Sequence, residues 1–236
     1  MVFPVIMFPS AFLYAASDLL IPEFSACNAA GDPKRLRRLT SKVMQLTSYF
    51  AVGVAGIIFG FADEIGRIFY NSSESALYIK ILAPLVVFML YDHLADAILK
   101  GLGEQISVVK YNIVDSVSSV LLVWILVPMF GLGGYVFVVW FGEVLNCMMS
   151  SAKLSKRTCT PIRFGRWFVI PTVCVTTSVI VSRQILILLH GAVATDLLGM
   201  LVSFSVSSLI YLLLLRVFRC VTLNDYVLLK KVFSKT

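Results

Sequence analysis

The chain has 236 residues, of which 59% are hydrophobic and only 14% are charged. Soluble domains carry roughly 45–50% apolar and about 25% charged residues, and a soluble fold of this length could not bury so large an apolar excess. The composition therefore excludes an ordinary soluble enzyme, a disulfide-rich secreted scaffold and a disordered tail. We expect the surplus of apolar residues to face lipid.

The charge balance is basic, because 20 Lys and Arg against 13 Asp and Glu give a net charge of +7. In a soluble protein this balance would point to nucleic acid. Here the basic residues fall between apolar segments, so the expected partner is the lipid bilayer and not nucleic acid. The five cysteines form no C-x-x-C pair, and no Walker loop, zinc-protease or nucleophile-elbow motif occurs. We expect no enzyme, no metal and no cofactor.

Apolar segments of about 20 residues, the length that crosses a bilayer, recur about seven times. In chain order they run from the N-terminus to near Cys27, with interruptions at Pro4, Pro9 and Pro22; from Val43 to Phe61; from Leu77 to about Leu99; from Tyr111 to Met129; from Gly133 to about Ser151; from Trp167 to about Leu189; and from Asp196 to about Leu215. The predicted fold is an all-α membrane protein, a bundle of about seven transmembrane helices over residues 1–216. A short amphipathic helix is predicted in the tail, residues 217–236.

Basic and non-basic links alternate between these segments without a break. The links after the first, third, fifth and seventh segments carry Lys and Arg, whereas the links between them are acidic or carry no Lys or Arg. The positive-inside rule then places the N-terminus outside and the C-terminus in the cytoplasm. We interpret the first basic cluster mainly as an orientation signal, with contact to phosphate headgroups as a second role. This cluster includes Lys34, Arg35, Arg37 and Arg38.

Three stretches and the tail together resemble one family. The stretch Leu20–Leu39 resembles an L-x-P-x-x-S…G-D pattern, Ala97–Gly103 resembles I-L-x-G-L-G, and Val127–Gly134 resembles P-x-x-G-x-x-G. In order and spacing they are similar to the eighth, tenth and eleventh-to-twelfth helix ends of fourteen-helix flippases. The tail from Thr222 to Lys231 is similar to a short terminal helix in the same proteins.

These patterns identify the chain as resembling the multidrug/oligosaccharidyl-lipid/polysaccharide exporter superfamily, in its polysaccharide-biosynthesis and sporulation flippase branch. The resemblance implies helices eight to fourteen, which is the C-terminal lobe of a transporter whose first lobe is missing here, and we expect a truncated chain. It also implies a lipid-linked saccharide as the substrate, alternating access as the mechanism, and a bacterial plasma membrane as the location. The partner would be an N-terminal lobe, on the same transporter or on a separate chain.

Polar groups inside the spans are the candidate functional residues, because charge in hydrocarbon is costly. Glu143 and Asn146 lie in the fifth predicted span, and Arg183 and Gln184 lie in the sixth. We hypothesise that Glu143 and Arg183 neutralise each other. Such a pair either locks two helices together or takes part in gating or headgroup binding.

Two further groups of candidates lie in the first and third predicted spans. Asp18 and Glu23 in the proline-containing first span are candidates for a substrate cavity, the alternative being a helix end near water. Asp92, His93, Asp96 and Lys100 follow one another near the end of the third span. They are interpreted either as a solvated helix end or as a cytoplasmic gate that responds to protons, since histidine titrates near neutrality.

Two other functions are compatible with seven spans. The first is a non-transporting membrane scaffold or degenerate half-transporter that associates with other subunits. The second is a seven-helix receptor or retinal protein with an outer N-terminus. The seventh span contains no lysine for a Schiff base and no N-P-x-x-Y run follows it, which argues against the second.

Overall fold

The computed structural model describes residues 3–160, 165–190 and 197–218. These residues form helices joined by short turns, and the described ranges contain no strand. The helices are α1 (Phe3–Ala29), α2 (Pro33–Gly60), α3 (Ala62–Tyr70), α4 (Ser73–Leu82), α5 (Leu85–Gly101), α6 (Gln105–Thr158), α7 (Ile170–His190) and α8 (Leu197–Val217), with a π-helix at Gly165–Val169 before α7. The predicted all-α fold is confirmed. The predicted tail helix lies outside the described residues from position 219 onward.

Four described helical segments are long and apolar enough to cross a membrane: α2, α6, α8, and a segment of 19 residues from Trp167 to Ile185. The broken pair of α4 and α5 would be a fifth if it acts as one span. The break falls at Ala83 and Pro84. Ala83 keeps helical dihedrals, but Pro84 has no backbone N–H with which to continue the helical hydrogen bonds. The total of seven spans and their direction through the membrane remain predictions.

Helix α6 contains two antiparallel limbs that meet at Gly131. Its 54 residues would extend about 80 Å if straight, but Gly131 has φ 58° and ψ −133°, a conformation that glycine tolerates and other residues avoid. A Cβ atom on Gly134 would lie 2.5 Å from the carbonyl oxygen of Leu126, and the Asn146 amide lies 3.1 Å from Asn112 Oδ1. The chain therefore doubles back, which confirms the fourth and fifth predicted segments as the first and second limbs of α6.

Two expectations about the first two predicted segments are corrected. Helix α1 continues through Pro9 and Pro22 as one element, so these prolines do not interrupt it; membrane helices tolerate proline when the freed backbone groups find other partners. Helix α2 begins at Pro33, ten residues before the predicted segment. Asp32 Oδ1 accepts hydrogen bonds from the backbone N–H groups of Lys34 and Arg35, each at 3.0 Å. These bonds cap the N-terminus of α2. The first basic cluster thus lies on the opening turns of α2 and not in a loop.

The chain divides into two compact units, which are described separately. The first comprises Met1–Pro9, Ser48–Val87 and Arg163–Thr236. In it α7 packs on α8, and a Cβ on Gly60 would lie 2.5 Å from the Val179 side chain, so α2 approaches α7 closely.

The second unit comprises Ser10–Thr47 and Phe88–Ile162, and therefore holds most of α1, most of α5 and both limbs of α6. Here α5 crosses α1 closely, because a Cβ on Gly101 would lie 2.8 Å from the backbone oxygen of Ile21 and from Phe24. The candidate site lies in this unit, between α5 and the two limbs of α6.

Candidate functional site

Asp92 and Asp96 lie one turn apart on the buried face of α5, each with 7% of its surface exposed. Residues four apart on a helix lie on the same face, so both carboxylates point toward α6. Their burial contradicts the interpretation as a solvated helix end. Since charged groups are costly in a low-dielectric interior, the neighbours of these carboxylates decide what the site can do.

Three side chains of α6 donate hydrogen bonds to the two carboxylates. Ser150 Oγ donates to Asp96 Oδ1 at 2.8 Å, and Asn112 Nδ2 donates to Asp96 Oδ2 at 3.4 Å. Asn146 Nδ2 donates to Asp92 Oδ2 at 2.9 Å and to Asn112 Oδ1 at 3.1 Å. We name these five residues the acidic cluster. Its hydrogen-bond donors are a hydroxyl and two amides, all neutral groups.

The acidic cluster holds more acceptors than donors. Within the described ranges, Asp92 Oδ1 and Asn146 Oδ1 are buried and have no hydrogen-bond donor. Buried acceptors without a donor are rare and call for an explanation. One additional proton on the cluster would supply a donor for such an acceptor.

His93 points from α5 toward α1. Its Nε2 lies 4.0 Å from Asp18 Oδ1, and its ring centroid lies 4.0 Å from that of Tyr14. Asp18 is largely exposed, so the structure brings together one predicted cavity residue and one predicted gate residue. Lys100 is half-buried one turn beyond Asp96.

Glu23, the other candidate in the first predicted span, is paired with Arg35 at 2.8 Å beside the turn between α1 and α2. It lies close to the chain's first basic cluster. Its predicted role in a substrate cavity remains a prediction.

The predicted pair of Glu143 and Arg183 is wrong, because Arg183 pairs with Glu64. Arg183 Nη2 lies 2.9 and 3.1 Å from the two carboxylate oxygens of Glu64, and its guanidinium carbon lies 5.6 Å from the centroid of the Phe61 ring. Arg183 lies in the C-terminal half of α7 and meets the short helix α3, which the charge pattern predicts to be part of an outer link. Gln184 is exposed beside it.

Glu143 lies on the second limb of α6 next to Gly142. A Cβ on Gly142 would lie 2.6 Å from Asp115 Oδ1 on the first limb, so the missing side chain leaves room for that carboxylate. Glu143 is three residues from Asn146, or about 4.5 Å along the limb. Acidic side chains therefore continue from the acidic cluster toward the middle of the α6 hairpin.

Three basic links come together at one end of the second unit. Asn28 Nδ2 donates to the Leu102 carbonyl at 3.4 Å, and Glu104 pairs with Lys153 at 3.0 Å and with Arg157 at 3.8 Å. The hydrogen bond from Lys153 lowers the pKa of Glu104 below its ordinary value. The links after the first, third and fifth predicted segments thus share one end, as the predicted topology requires.

Sequence reasoning missed Asn112, Ser150 and Glu64. Asn146 and Ser150 are spaced by four residues, like Asp92 and Asp96, and that matched spacing was the available signal. Nothing local pointed to Glu64, which lies 119 positions from its partner. Within the described ranges, no group of three or more His, Cys, Asp or Glu residues is arranged to hold a metal ion.

Helices that suit a bilayer, together with carboxylates buried among them, define a membrane protein of the transporter class, since ionisable groups inside membrane helices mark substrate or ion pathways. Comparison with known proteins agrees with this class. The chain belongs to the MatE family, whose model matches residues 1–125, a little over half of the chain. This confirms the predicted membership of the wider exporter superfamily.

A curated relative matches nearly the whole chain. Stage V sporulation protein B from Bacillus subtilis (strain 168) is 26% identical over 225 residues, which are 92% of this chain and 42% of the relative. The chain thus spans less than half the length of this relative. With the apolar helices, the family assignment makes this a multi-pass membrane protein of a transporter family, and it leaves the receptor alternative without support.

Proposed function

We propose that this chain is one lobe of an exporter that flips a lipid-linked oligosaccharide or polysaccharide precursor across the bacterial plasma membrane by alternating access. The observation that carries the proposal is the acidic cluster, buried between helices apolar enough for a bilayer. An ionised side chain at the centre of a membrane helix costs roughly 2.5–3.5 kcal/mol on insertion scales. In a protein that served only as a membrane anchor, nothing would offset this unfavourable free energy.

The acidic cluster is the proton-responsive element of this exporter. The two carboxylates lie one turn apart on α5 and repel each other when both are ionised. Among the described residues, Asp92 Oδ1 and Asn146 Oδ1 are buried and accept no hydrogen bond. A proton taken up by Asp92 removes one negative charge and supplies one donor. Uptake and release of that proton would therefore favour different packings of α5 against α6, which is the differential interaction that a two-state transporter needs.

A second lobe completes the exporter in this proposal. Alternating access requires two helical bodies that rock around a central site, and the chain spans only 42% of its relative. The second lobe would come from the same transporter or from a partner chain. The activity is transport across the bilayer, and the chain acts as no enzyme.

A vesicle assay tests the proposal. The chain is reconstituted alone and together with the part of the Bacillus subtilis relative that it does not match. The probe is a fluorescent polyprenyl-pyrophosphate oligosaccharide, and flipping is measured as protection from dithionite. We expect flipping only with the second lobe, and we expect Asp92→Asn, which removes the group that takes up the proton, to reduce it at least tenfold. Glu74→Gln, at an exposed position of α4 outside the acidic cluster, is the matched control and should leave the rate unchanged.

The outcomes separate the candidate functions. Robust flipping by the chain alone would overturn the two-lobe proposal. Flipping that Asp92→Asn leaves unchanged would remove proton uptake by the acidic cluster from the mechanism. If neither preparation flips the probe although the chain is inserted and folded, a non-transporting scaffold is the better description.

A further inference from the structure

The opening turns of α2 present three basic side chains on one exposed side of the helix. Lys34, Arg37 and Arg38 are spaced by three and four residues, so they share one side, and all three are exposed. Leu36 and Val43 are buried on the opposite side. We name Lys34, Arg37 and Arg38 the cationic face.

The cationic face keeps its charge because the nearby carboxylates have other partners. Glu23 Oε1 lies 2.8 Å from Arg35 Nη2. Asp32 Oδ1 accepts two backbone N–H groups, and Glu104 pairs with two cations of α6. Among the residues that the structure describes, no ion pair includes a member of the cationic face. Three positive charges therefore lack a counterion within the described part of the chain.

The end of the second unit that carries this face has a positive excess as a whole. Residues 23–38, 100–104 and 153–157 come together there and contain eight Lys and Arg against three Asp and Glu. Such a surface attracts anions from solution and from the membrane. The anion site is formed by side chains and not by the N-terminus of α2, because Asp32 already caps that N-terminus.

The cationic face lies at the level of the lipid headgroups. Arg38 is five residues before Val43, where the predicted apolar segment begins, and five residues of helix extend about 7.5 Å. The headgroup layer on each side of a bilayer is about 5–8 Å thick. The phosphate of a lipid in this leaflet is therefore within reach of these side chains while its acyl chains stay in the hydrocarbon.

Charge decides which headgroup fits. Arginine guanidinium groups bind phosphate oxygens in a bidentate geometry, and lysine adds a compact positive charge. A zwitterionic headgroup brings a cation of its own, which would meet three uncompensated positive charges. A headgroup with net negative charge brings none, so the face favours an anionic phospholipid.

We propose that the cationic face of α2 is a docking site for an anionic phospholipid of the inner leaflet and selects it over zwitterionic lipids. An orientation signal acts through the number of basic residues in a link during insertion and depends on no particular arginine. A docking site depends on the arginines that have no protein partner. The site goes beyond the proposed export function, because it requires neither a second lobe nor a saccharide.

Fluorescence quenching beside the cationic face tests this site on the full chain. Ser41 continues the same side of α2, so Ser41→Cys carries a bimane label in a background without other cysteines. The chain is placed in phosphatidylcholine nanodiscs that contain a small fraction of nitroxide-labelled phosphatidylglycerol or phosphatidylcholine. We expect phosphatidylglycerol to bind there at least tenfold more tightly than phosphatidylcholine, since each basic residue near an anionic surface contributes about fivefold.

Two matched variants separate docking from net charge. Arg38→Gln and Arg35→Gln each remove one positive charge from the same helix end, but Arg35 is already paired with Glu23. We expect Arg38→Gln to lower the preference for phosphatidylglycerol about fivefold and Arg35→Gln to lower it less than twofold. Arg37→Gln combined with Arg38→Gln should bring the two lipids within about threefold of each other.

The outcomes decide the proposal. Circular dichroism reports whether each labelled variant is folded, and Lys34→Gln, on the same face, replaces Arg38→Gln if that variant does not fold. Equal binding of the two lipids, or equal losses in Arg35→Gln and Arg38→Gln, would overturn the site. Displacement of the labelled lipid by excess glycerol 3-phosphate would assign the face to a soluble phosphate and overturn it as well. The vesicle assay is independent, so failure here leaves the export function standing.

Discussion

Asn146 holds two hydrogen bonds of the acidic cluster, to Asp92 Oδ2 at 2.9 Å and to Asn112 Oδ1 at 3.1 Å. Hydrogen bonds between membrane helices contribute roughly 0.6 kcal/mol on average and up to about 1.7 kcal/mol. Asn146→Ala should therefore lower the free energy of unfolding by about 1–3 kcal/mol, because both bonds are lost and Asp92 loses the Asn146 donor. Unfolding in mixed micelles of mild detergent and dodecyl sulfate, followed by circular dichroism, measures this change.

A double-mutant cycle sharpens the test. Asp92→Asn replaces the carboxylate by an amide that carries its own donor, so we expect Asn146→Ala to cost less in that background, with a coupling of at least about 0.5 kcal/mol. The control is Met148→Ala on the same limb, a position that is 66% exposed and should change stability by less than about 0.5 kcal/mol. If Asn146→Ala costs no more than the control, or the coupling is absent, the cluster does not hold α5 to α6.

Three further outcomes follow from other contacts. Arg183→Met should lower the free energy of unfolding by about 1–3 kcal/mol, which is less than the 3–5 kcal/mol expected when a fully buried pair is broken, because the arginine is 36% exposed. Adding Glu64→Gln should recover most of this stability. No recovery would refute the pairing. Gly142→Leu should lower the free energy of unfolding by about 1–3 kcal/mol in the same assay, because its Cβ would lie 2.6 Å from Asp115 Oδ1 on the first limb. An unchanged unfolding midpoint would contradict the close packing of the two limbs. Since Lys153 lowers the pKa of Glu104, the stabilisation from this pair is present above the unfolded-state pKa and is lost as the pH falls through the lowered one. Glu104→Gln should remove that part of the acid dependence, and an unchanged pH profile would count against the pair.

The long apolar segments were predictable because they depend on composition and local pattern. The uncharged link from Phe130 to Gly133 correctly separated the two limbs of α6, which meet at Gly131. The short helix α3 was missed, because nine residues that mix acidic, basic and apolar side chains carry no span-length signal. The break before Leu85 was missed as well, since Pro84 lies inside an otherwise apolar run.

The candidate site was predictable only in part. The spacing of Asp92 and Asp96 placed both carboxylates on one face, but their burial depends on Asn146 and Ser150, each 54 positions from its partner. The partner of Arg183 was equally hard to predict. A similar predicted depth in the membrane favoured Glu143 as its ion-pair partner, whereas in the structure the partner is Glu64. Which helix packs beside a charged side chain is a tertiary property that a single sequence does not display.

Cysteine labelling in intact bacterial cells tests the central claim most directly, namely that this chain is a membrane-embedded lobe with its basic links on the cytoplasmic side. The native Cys159 is exposed at the end of α6 and reports the inner side when it is the one cysteine retained. Lys34→Cys reports the first basic cluster, and Leu132→Cys reports the tip of the α6 hairpin, each in a background without other cysteines. We predict that a membrane-impermeant maleimide labels the hairpin tip in intact cells, and labels Cys159 and position 34 only after permeabilisation. Labelling of Cys159 and position 34 from opposite sides of the membrane would contradict the account.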